Sequence, residues 1–295
     1  MRRNLIGKAA IQEKSRGLDI SMECLFASYV LEQLTVKLAA SERGERLLLK
    51  NPDVLGLKGS KRAVCHRLEY ACLIKPQERF SKAEFAQFLK TTIKWERETN
   101  IEWSWRSHME GGRLFVELNA LLDGMRMPLS LVIAPMEEKA LTHPAKEYTL
   151  RLVMENNKTA TLLLYPAEET FFDDLGEVFS KLELIGDMAV FERIYEILGL
   201  CGFEGRQFQK KLVTFCEERD IPMDEARFAQ LDGYGAYPFL QKKWKGYLKR
   251  NQKQTPSWEE VYGRFWSFLR PLWSAKLEGL VYLGSWIPDL CRYLD

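Results

Sequence analysis

The first hundred residues carry apolar positions at two different periods, and each period predicts a different kind of element. Between residues 19 and 49, apolar residues recur every three or four positions, which indicates an amphipathic helix. Those positions are Leu25, Tyr29, Val30, Leu34, Val36 and Leu38. Ser81 followed three residues later by Glu84 is typical of a capping box and predicts a second helix over residues 81 to 97. The intervening residues 67 to 74 predict a strand.

The next stretch changes to a period of two, which is typical of strands. Ile101, Trp103 and Trp105 alternate with polar residues. Residues 114 to 122 and 127 to 134 flank an Asp-Gly turn at 123 and 124, and residues 149 to 155 and 159 to 165 form another predicted hairpin across Asn156-Asn157-Lys158. We therefore expect an antiparallel part of a sheet here.

After Pro166 the pattern is helical to the end of the chain. Helices are predicted over residues 168–184, 187–200, 204–219, 238–250 and 257–269, with a capping box at Ser257 and Glu260. Gly202 and Pro271 are expected to end helices, and the tail from Trp273 is expected to pack back on the helical part. The predicted fold class is therefore α+β: an α/β domain over residues 1–166, with a mixed sheet and flanking helices, followed by a helical domain over residues 167–295.

Composition narrows the classes of function only slightly. The chain of 295 residues has 43 lysines and arginines against 41 acids, and a net charge of +2 provides no general attraction to nucleic acid or to an anionic membrane. No apolar run approaches the length of about eighteen residues needed to span a bilayer, and residues 1 to 8 do not resemble a secretory signal. We expect a cytoplasmic protein that does not enter membranes.

The metal-binding residue types show no spacing that predicts a metal site. The cysteines at positions 24, 65, 72, 201, 216 and 291 are scattered without a Cys-x-x-Cys pair, so they are interpreted as buried thiols. The three histidines, at positions 66, 108 and 143, also lack the spacing of metal ligands.

A series of short motifs resembles the AbiEii/AbiGii family of nucleotidyltransferase-like toxins. That family combines a helix rich in Tyr, Leu and Arg, a Leu-Lys-Gly-Gly turn, and a strand that carries Asp-x-Asp after an arginine. In this chain Tyr29 to Leu38, Leu49-Lys50 and Arg67 follow in the corresponding order. Each motif is weak by itself, and the order of the motifs carries the resemblance.

The resemblance continues downstream and covers roughly residues 19 to 272. The matching segments are Gly111-Gly112-Arg113, Met127-Pro128-Leu129, Tyr165-Pro166 with Glu168, Ile194 to Ile197, Phe203 to Gly205, Thr214 to Arg219, Trp244 to Leu248, and Phe268 to Leu272. It implies a polymerase-beta-type nucleotidyltransferase fold, in which converging carboxylates hold Mg²⁺ and a nucleoside triphosphate.

The carboxylates that this chemistry requires are largely missing. Alternate residues of a strand face the same side, so Asp-x-Asp places two carboxylates at one metal pair. An ungapped alignment puts Leu68 and Tyr70 at these two positions, and a slip of one residue puts Glu69 and Ala71 there. The third acidic position of the family falls at Val132. Neither alignment supplies a pair, and Glu69 is interpreted as a solvated strand residue in preference to a metal ligand.

Two turns compete for the place of the family's glycine turn, which brings backbone N–H groups to a phosphate. Lys50-Asn51-Pro52 includes a proline, which lacks a donor and restricts the residue before it. Leu57-Lys58-Gly59-Ser60 is a better glycine turn but lies at the wrong distance from Glu69. Lys50 is the predicted cofactor-binding residue if a nucleotide binds.

The helical half departs from the family at several charged positions. The family's Glu-Lys pair falls near Asp173-Asp174, and its Asp-Phe-Tyr-Asp falls on Arg193-Ile194-Tyr195-Glu196. Only Glu196 keeps a charge of the expected sign. If the protein is an active enzyme, Glu69 and Glu196 are the predicted catalytic residues, with Mg²⁺ and a nucleoside triphosphate as cofactors; otherwise no cofactor or metal is expected.

A basic helix is the strongest candidate for a nucleic-acid surface. Its cations are Lys242, Lys243, Lys245, Lys249 and Arg250, with Lys253 just beyond, and Trp244 and Tyr247 are interleaved among them. The alternative, which the helical spacing of Trp244, Tyr247 and Leu248 favours, is a solvated helix whose aromatic residues face the core.

These observations predict a catalytically degenerate nucleotidyltransferase-like protein that binds RNA, a nucleotide or a partner protein. The resemblance alone implies a phage-defence or toxin-antitoxin setting. Two alternatives stay open: an active nucleotidyltransferase with a rearranged site that modifies an RNA or a protein, and a structural or interaction protein without a nucleotide site.

Overall fold

The computed structural model divides the chain into two compact units, Met1–Pro166 and Ala167–Asp295. The residues it describes are 6–57, 66–75, 77–78, 80–93, 100–141, 144–155, 157–251, 254 and 256–294. Within these ranges, no helix combines the length and the apolar character needed to cross a membrane. The expected Arg97 end of the second helix, the Lys58-Gly59-Ser60 turn and Lys253 lie outside the described residues.

A seven-stranded mixed sheet organises the first unit. Its strands are β1 (Leu47–Leu49), β2 (Arg67–Ile74), β3 (Glu102–Glu110), β4 (Arg113–Leu122), β5 (Met125–Glu137), β6 (Lys146–Arg151) and β7 (Thr159–Leu164). They lie in the order β3-β4-β5-β2-β1-β7-β6. β2 pairs with β5 in parallel and β1 pairs with β7 in parallel, whereas the other neighbours are antiparallel. The predicted mixed sheet is confirmed.

The sheet packs its core face against helices α1 (Lys8–Leu18), α2 (Met22–Ala39) and α3 (Lys82–Ile93) of the same unit. Ser21 caps α2 by accepting a hydrogen bond from the backbone N–H of Cys24. Residues 25 to 35 of α2 are all buried, so this helix does not expose the polar face that its amphipathic pattern predicts. The added cover includes α1, which the sequence pattern did not predict and whose Ile11 is fully buried in the same core.

Two of the antiparallel hairpins, β3–β4 and β4–β5, turn on pairs of residues with positive φ. Gly111 and Gly112 have φ of 54° and 74°, and Asp123 and Gly124 have φ of 47° and 78°. Two central residues in the left-handed region define a type I′ turn, whose twist matches that of the flanking strands. The register that follows pairs Glu110 with Arg113 at the first turn.

The second unit is mainly helical, as predicted. Its helices are α4 (Ala167–Lys181), α5 (Ala189–Leu200), α6 (Gly205–Glu217), α7 (Glu225–Asp232), α8 (Pro238–Arg250) and α9 (Trp258–Leu277). The Ser257–Glu260 capping box is present at the start of α9. Pro271 does not end this helix: α9 continues six residues beyond it, to Leu277. The buried Leu272 and Trp273 belong to the same core, and their burial outweighs the hydrogen bond that a proline removes.

The prediction that every residue after Pro166 is helical was wrong at the end of the chain. Strands β8 (Phe203–Glu204), β9 (Ser285–Ile287) and β10 (Arg292–Leu294) form a small sheet in the order β10-β9-β8. Trp286 lies on β9, is 1% exposed and donates its indole N–H to the carbonyl of Leu198. The tail therefore packs back on the helical core, as predicted, but partly as a sheet.

Candidate functional site

The first candidate site is the face of β2 and β5 that points away from the core helices. In the parallel pairing of these strands, Glu69 lies beside Val132 and Ala71 lies beside Ala134. Because side chains alternate between the two faces of a strand, Glu69, Ala71 and Val132 share one face. Leu68 and Tyr70 point to the other face and belong to the main core, where they are 0% and 4% exposed.

The two alignments of the Asp-x-Asp strand place the acidic positions on different faces of β2. The ungapped alignment placed the acidic positions at Leu68 and Tyr70, which are enclosed in the core and therefore lie on the wrong face for a metal site. The alignment shifted by one residue places them at Glu69 and Ala71, on the same face as Val132. Only one of these three positions carries a carboxylate.

Glu69 itself is engaged by a neighbouring cation. The Nε atom of Arg67 lies 3.0 Å from Oε1 of Glu69, and both side chains remain about two-fifths exposed. Residues i and i+2 of a strand share a face, so this ion pair lies along the same side of β2. A half-exposed pair of this kind contributes little to stability because solvent screens it.

Small and apolar residues occupy the rest of this face. Leu48, Ala71 and Tyr165 are buried together in a cluster separate from the main core. The Nζ atom of Lys50, just beyond β1, lies 4.4 Å from the centroid of the Tyr165 ring, which is within the range of a cation–π contact. The predicted cofactor-binding lysine is therefore held against an aromatic ring at the edge of the candidate site.

The Lys50-Asn51-Pro52 turn ties the end of β1 to β2. The side-chain amide of Asn51 donates to the carbonyl of Arg67, and its carbonyl oxygen accepts from the backbone N–H of Glu69, both at 2.9 Å. Asn51 thus replaces one step of backbone pairing between β1 and β2 with side-chain bonds. Pro52 begins a short 3₁₀ turn, Pro52–Val54, so the chain turns away without offering an N–H at that position.

A buried carboxylate supports the segment that follows this turn. Glu32 of α2 is fully buried; its two oxygens accept hydrogen bonds from the backbone N–H groups of Gly56 (3.1 Å) and Val153 (2.9 Å). Burial raises the pKa of Glu32 to about 8, although these two hydrogen bonds and the charge of Lys14 act in the opposite direction. Sequence patterns did not indicate this residue, because a glutamate within an amphipathic helix is usually solvated.

In the second unit, two of the altered charged positions contact each other. Asp174 of α4 is buried, and its carboxylate accepts two hydrogen bonds from the guanidinium of Arg193 on α5, at 3.0 and 2.6 Å. The resembled family carries a lysine near the first of these positions and an aspartate at the second. The charge at each of these two positions is therefore opposite to the one that the resemblance implies. Glu196, the other predicted catalytic residue, is an exposed residue of α5.

The basic helix, α8, separates its cations from its large aromatic residues. Trp244, Tyr247 and Leu248 are buried, which confirms the interpretation that they form one core-facing side. Lys243 turns inward as well: its Nζ atom donates to the carbonyls of Glu183 and Ile185, at 3.0 and 2.7 Å. The cations that remain exposed on α8 are Lys242, Lys245, Lys249 and Arg250.

Two exposed aromatic residues lie at the start of the same helix. Tyr237 and Phe239 are 40% and 46% exposed, and their ring centroids are 6.3 Å apart. Phe239 and Lys242 are three positions apart and so lie on one side of the helix. The sequence pattern favoured burial of Trp244 and Tyr247 and did not indicate the accessible rings, which precede them.

The residues do not fit the metal pair that the resembled family implies. Among the described residues, no group of three or more His, Cys, Asp or Glu side chains is placed to hold a metal ion. At the expected positions, the side chains of Ala71 and Val132 have no oxygen ligand, and hard cations such as Mg²⁺ require oxygen ligands.

Comparison with known proteins finds no matching family model and no matching curated protein. Among solved structures, the chain is similar to JHP933 from Helicobacter pylori at 12% identity and a TM-score of 0.35, covering 88% of this chain and 95% of that one. An antigenic nucleotidyltransferase-like protein from Paracoccidioides brasiliensis is similar at 11% identity and a TM-score of 0.38, covering 68% and 90%. Likeness at this level assigns neither a family nor an activity to the chain.

Proposed function

We propose that this chain is a nucleotidyltransferase-like protein that no longer transfers nucleotides and acts by binding RNA. One observation carries the first half of the proposal: Glu69, Ala71 and Val132 share the sheet face on which the resembled enzymes gather their carboxylates. Two of the three ligands are replaced by hydrocarbon side chains, and the remaining carboxylate is paired with Arg67.

A single carboxylate does not support two-metal chemistry. The metal pair clamps the attacking and leaving oxygens of the phosphoryl group, and its charge must be balanced by several anionic ligands held at fixed positions. Glu69 supplies one such ligand on a half-exposed side chain. A protein with this face is expected to bind Mg²⁺-nucleotide weakly and to transfer nothing.

The exposed row of cations on α8 supports RNA as the partner. Lys242, Lys245 and Lys249 recur at helical spacing on the outer side of the helix, and Arg250 extends the row. Cations in a row neutralise successive phosphates and release the counterions condensed on the nucleic acid. Tyr237 and Phe239 add accessible rings on which unpaired bases can stack. We include a phage-defence or toxin-antitoxin setting in this proposal on the basis of the resemblance alone.

The catalytic half is tested by label transfer from each of the four nucleoside triphosphates with Mg²⁺ and cellular RNA as acceptor. We expect no transfer by the parent protein and no effect of Glu69→Ala on nucleotide binding. The double variant Ala71→Asp with Val132→Asp rebuilds three carboxylates on one face and is expected to gain Mg²⁺ affinity. Transfer by the parent that Glu69→Ala or Glu196→Ala abolishes would contradict the proposal and favour an active enzyme.

The binding half is tested by fluorescence anisotropy with a labelled single-stranded RNA, titrated at several salt concentrations. Lys242→Glu, Lys245→Glu and Lys249→Glu together are expected to abolish measurable binding, and each Lys→Ala variant is expected to reduce the salt slope by about 0.7. Lys146→Glu on β6 is the matched control and should leave binding unchanged. Equal affinity of the triple variant and the parent would refute this surface, and an absence of RNA binding by the parent would favour a protein partner.

A further inference from the structure

The two edges of the seven-stranded sheet differ in their protection against pairing with another strand. β6, at one edge, is six residues long and carries Lys146 and Arg151 at its ends. β3, at the other edge, is nine residues long and includes neither proline nor lysine. Short length, charged side chains (lysine above all) and proline are the usual means by which edge strands avoid pairing. β3 is longer than β6 and has no lysine or proline, and its charges, Glu102, Arg106 and Glu110, are of both signs.

The tight turn after β3 determines which of its backbone groups face outward. Glu110 and Arg113 close a two-residue turn and therefore form a hydrogen-bonded pair. Hydrogen-bonded and non-hydrogen-bonded pairs alternate along an antiparallel ladder. The even-numbered residues of β3 consequently bond to β4, and the N–H and C=O groups of Trp103, Trp105, Ser107 and Met109 point to the open side.

These outward groups have no backbone partner among the described residues. None of the four residues takes part in a backbone hydrogen bond outside the strand pairing with β4. On the face of β3 away from the core, Glu102, Arg106 and Glu110 alternate with Ser104 and His108, and all five are exposed. The strand thus presents about 27 Å of accessible edge with a charge at every fourth residue.

We propose that β3 pairs antiparallel with β3 of a second copy of this chain, about a two-fold axis at Ser104. In this register Glu102 of each copy lies opposite Arg106 of the other copy, so two pairs of opposite charges form. The register also places Trp103 opposite Trp105 twice, as hydrogen-bonded pairs formed by the outward groups. The dimer joins two seven-stranded sheets into one.

The charge pattern excludes the register with the greatest overlap. An axis at Arg106 would bring Arg106 opposite its own copy and Glu102 opposite Glu110 twice, and like charges directly opposite each other are destabilising. An axis at His108 also joins opposite charges, through Arg106 and Glu110. That register replaces the two tryptophan pairs with pairs of Ser107 and Met109, which bury less apolar surface.

The proposal is tested by sedimentation velocity of the full chain over a range of concentrations. The parent is expected to dimerise, and Ser104→Lys, which sets two lysines face to face at the axis, is expected to raise the dissociation constant at least about tenfold. Thr149→Lys on β6 is the matched control and should leave the dimer intact. A parent that stays monomeric at every concentration, or a dimer that Ser104→Lys leaves unchanged, overturns the proposal.

Charge reversal distinguishes the registers. Glu102→Arg should weaken the dimer and Glu110→Arg should not; the opposite result would overturn the axis at Ser104 in favour of His108. Arg106 is also paired with Glu117 directly opposite it on β4, so Glu102→Arg is combined with Arg106→Glu and Glu117→Arg; this triple variant restores opposite charges at both contacts and should recover the parent dissociation constant. All of the substituted side chains are exposed, so the variants are expected to keep the fold. Circular dichroism of each variant checks that the sheet is intact.

Discussion

The charged positions at which this chain departs from the resembled family differ between its two units. On the sheet face of the first unit, Ala71 and Val132 lie on the same face as Glu69 and supply no ligand oxygen, and the described residues contain no cluster of metal ligands. In the second unit, the oppositely charged Asp174 and Arg193 form an ion pair between two helices. An ion pair requires only two opposite charges in contact, whereas a metal site requires several oxygen ligands, which hydrocarbon side chains do not have.

The largest effect is expected on the core face of β2, the strand that carries Glu69 on its other face. Leu68→Ala removes a fully buried side chain and should lower the free energy of unfolding by about 2–5 kcal/mol. Urea denaturation monitored by tryptophan fluorescence measures this change. A loss below about 1 kcal/mol would mean that β2 does not support the core in the way its burial implies.

The Asp174–Arg193 ion pair should contribute more than any surface pair but less than a core leucine. Arg193→Ala leaves the buried Asp174 carboxylate without its bidentate partner, and we expect a loss of about 1–3 kcal/mol, reduced from the fully buried case because Arg193 is 38% exposed. Asp174→Lys combined with Arg193→Asp exchanges the signs of the pair. Recovery of most of the lost stability would show that the contact needs opposite charges in either order; no recovery would show that it depends on the present order.

The buried Glu32 should make stability depend on pH in the first unit. Its pKa is about 8 in the folded chain against an ordinary value of 4.5. The folded state therefore retains a proton that the unfolded state has released. The contribution of Glu32 to the free energy of unfolding is fully present below about pH 4.5. It declines by about 1.4 kcal/mol per pH unit until about pH 8.

Glu32→Gln tests this dependence because it cannot titrate. The amide also leaves one of the two backbone N–H groups without an acceptor, so at pH 5 the variant should be less stable than the parent by about 1–2 kcal/mol. Because only the parent loses stability with rising pH, the difference should vanish near about pH 6 and reverse in sign by pH 8. Parallel stability profiles for the two proteins would contradict the raised pKa.

The smallest effect is expected at Glu69, which shares its face of the sheet with Ala71 and Val132. Its pair with Arg67 is half exposed, so Glu69→Ala should change the free energy of unfolding by less than about 0.5 kcal/mol. Chemical denaturation of Glu69→Ala and Leu68→Ala in parallel compares their free energies of unfolding. The two residues are adjacent on β2 and face opposite sides of the sheet. A loss of stability above about 1 kcal/mol would contradict the prediction that Glu69 forms only a solvent-screened ion pair.

Local periodicity was sufficient to predict most elements but not the direction of each functional side chain. The helical spacing of Trp244, Tyr247 and Leu248 correctly favoured their burial, but no pattern indicated that Lys243 also turns inward. Tyr237 and Phe239 gave no signal, because exposure of an aromatic residue at the start of a helix depends on which neighbours cover it. Pro271 was predicted to end a helix because proline usually does so. The helix continues past it because Trp273 packs in the helical core.

The sequence by itself determined the α+β order of elements, the turn at Asp123-Gly124, and the shortage of acids near residue 69. These features depend on alternation, capping and residue type within a few positions of the chain. Tertiary structure decided that Glu69 and Ala71, instead of Leu68 and Tyr70, share a face with Val132, and that Asp174 meets Arg193. A strand's two faces are equivalent until a core covers one of them, and residues nineteen positions apart become partners only when two helices pack together.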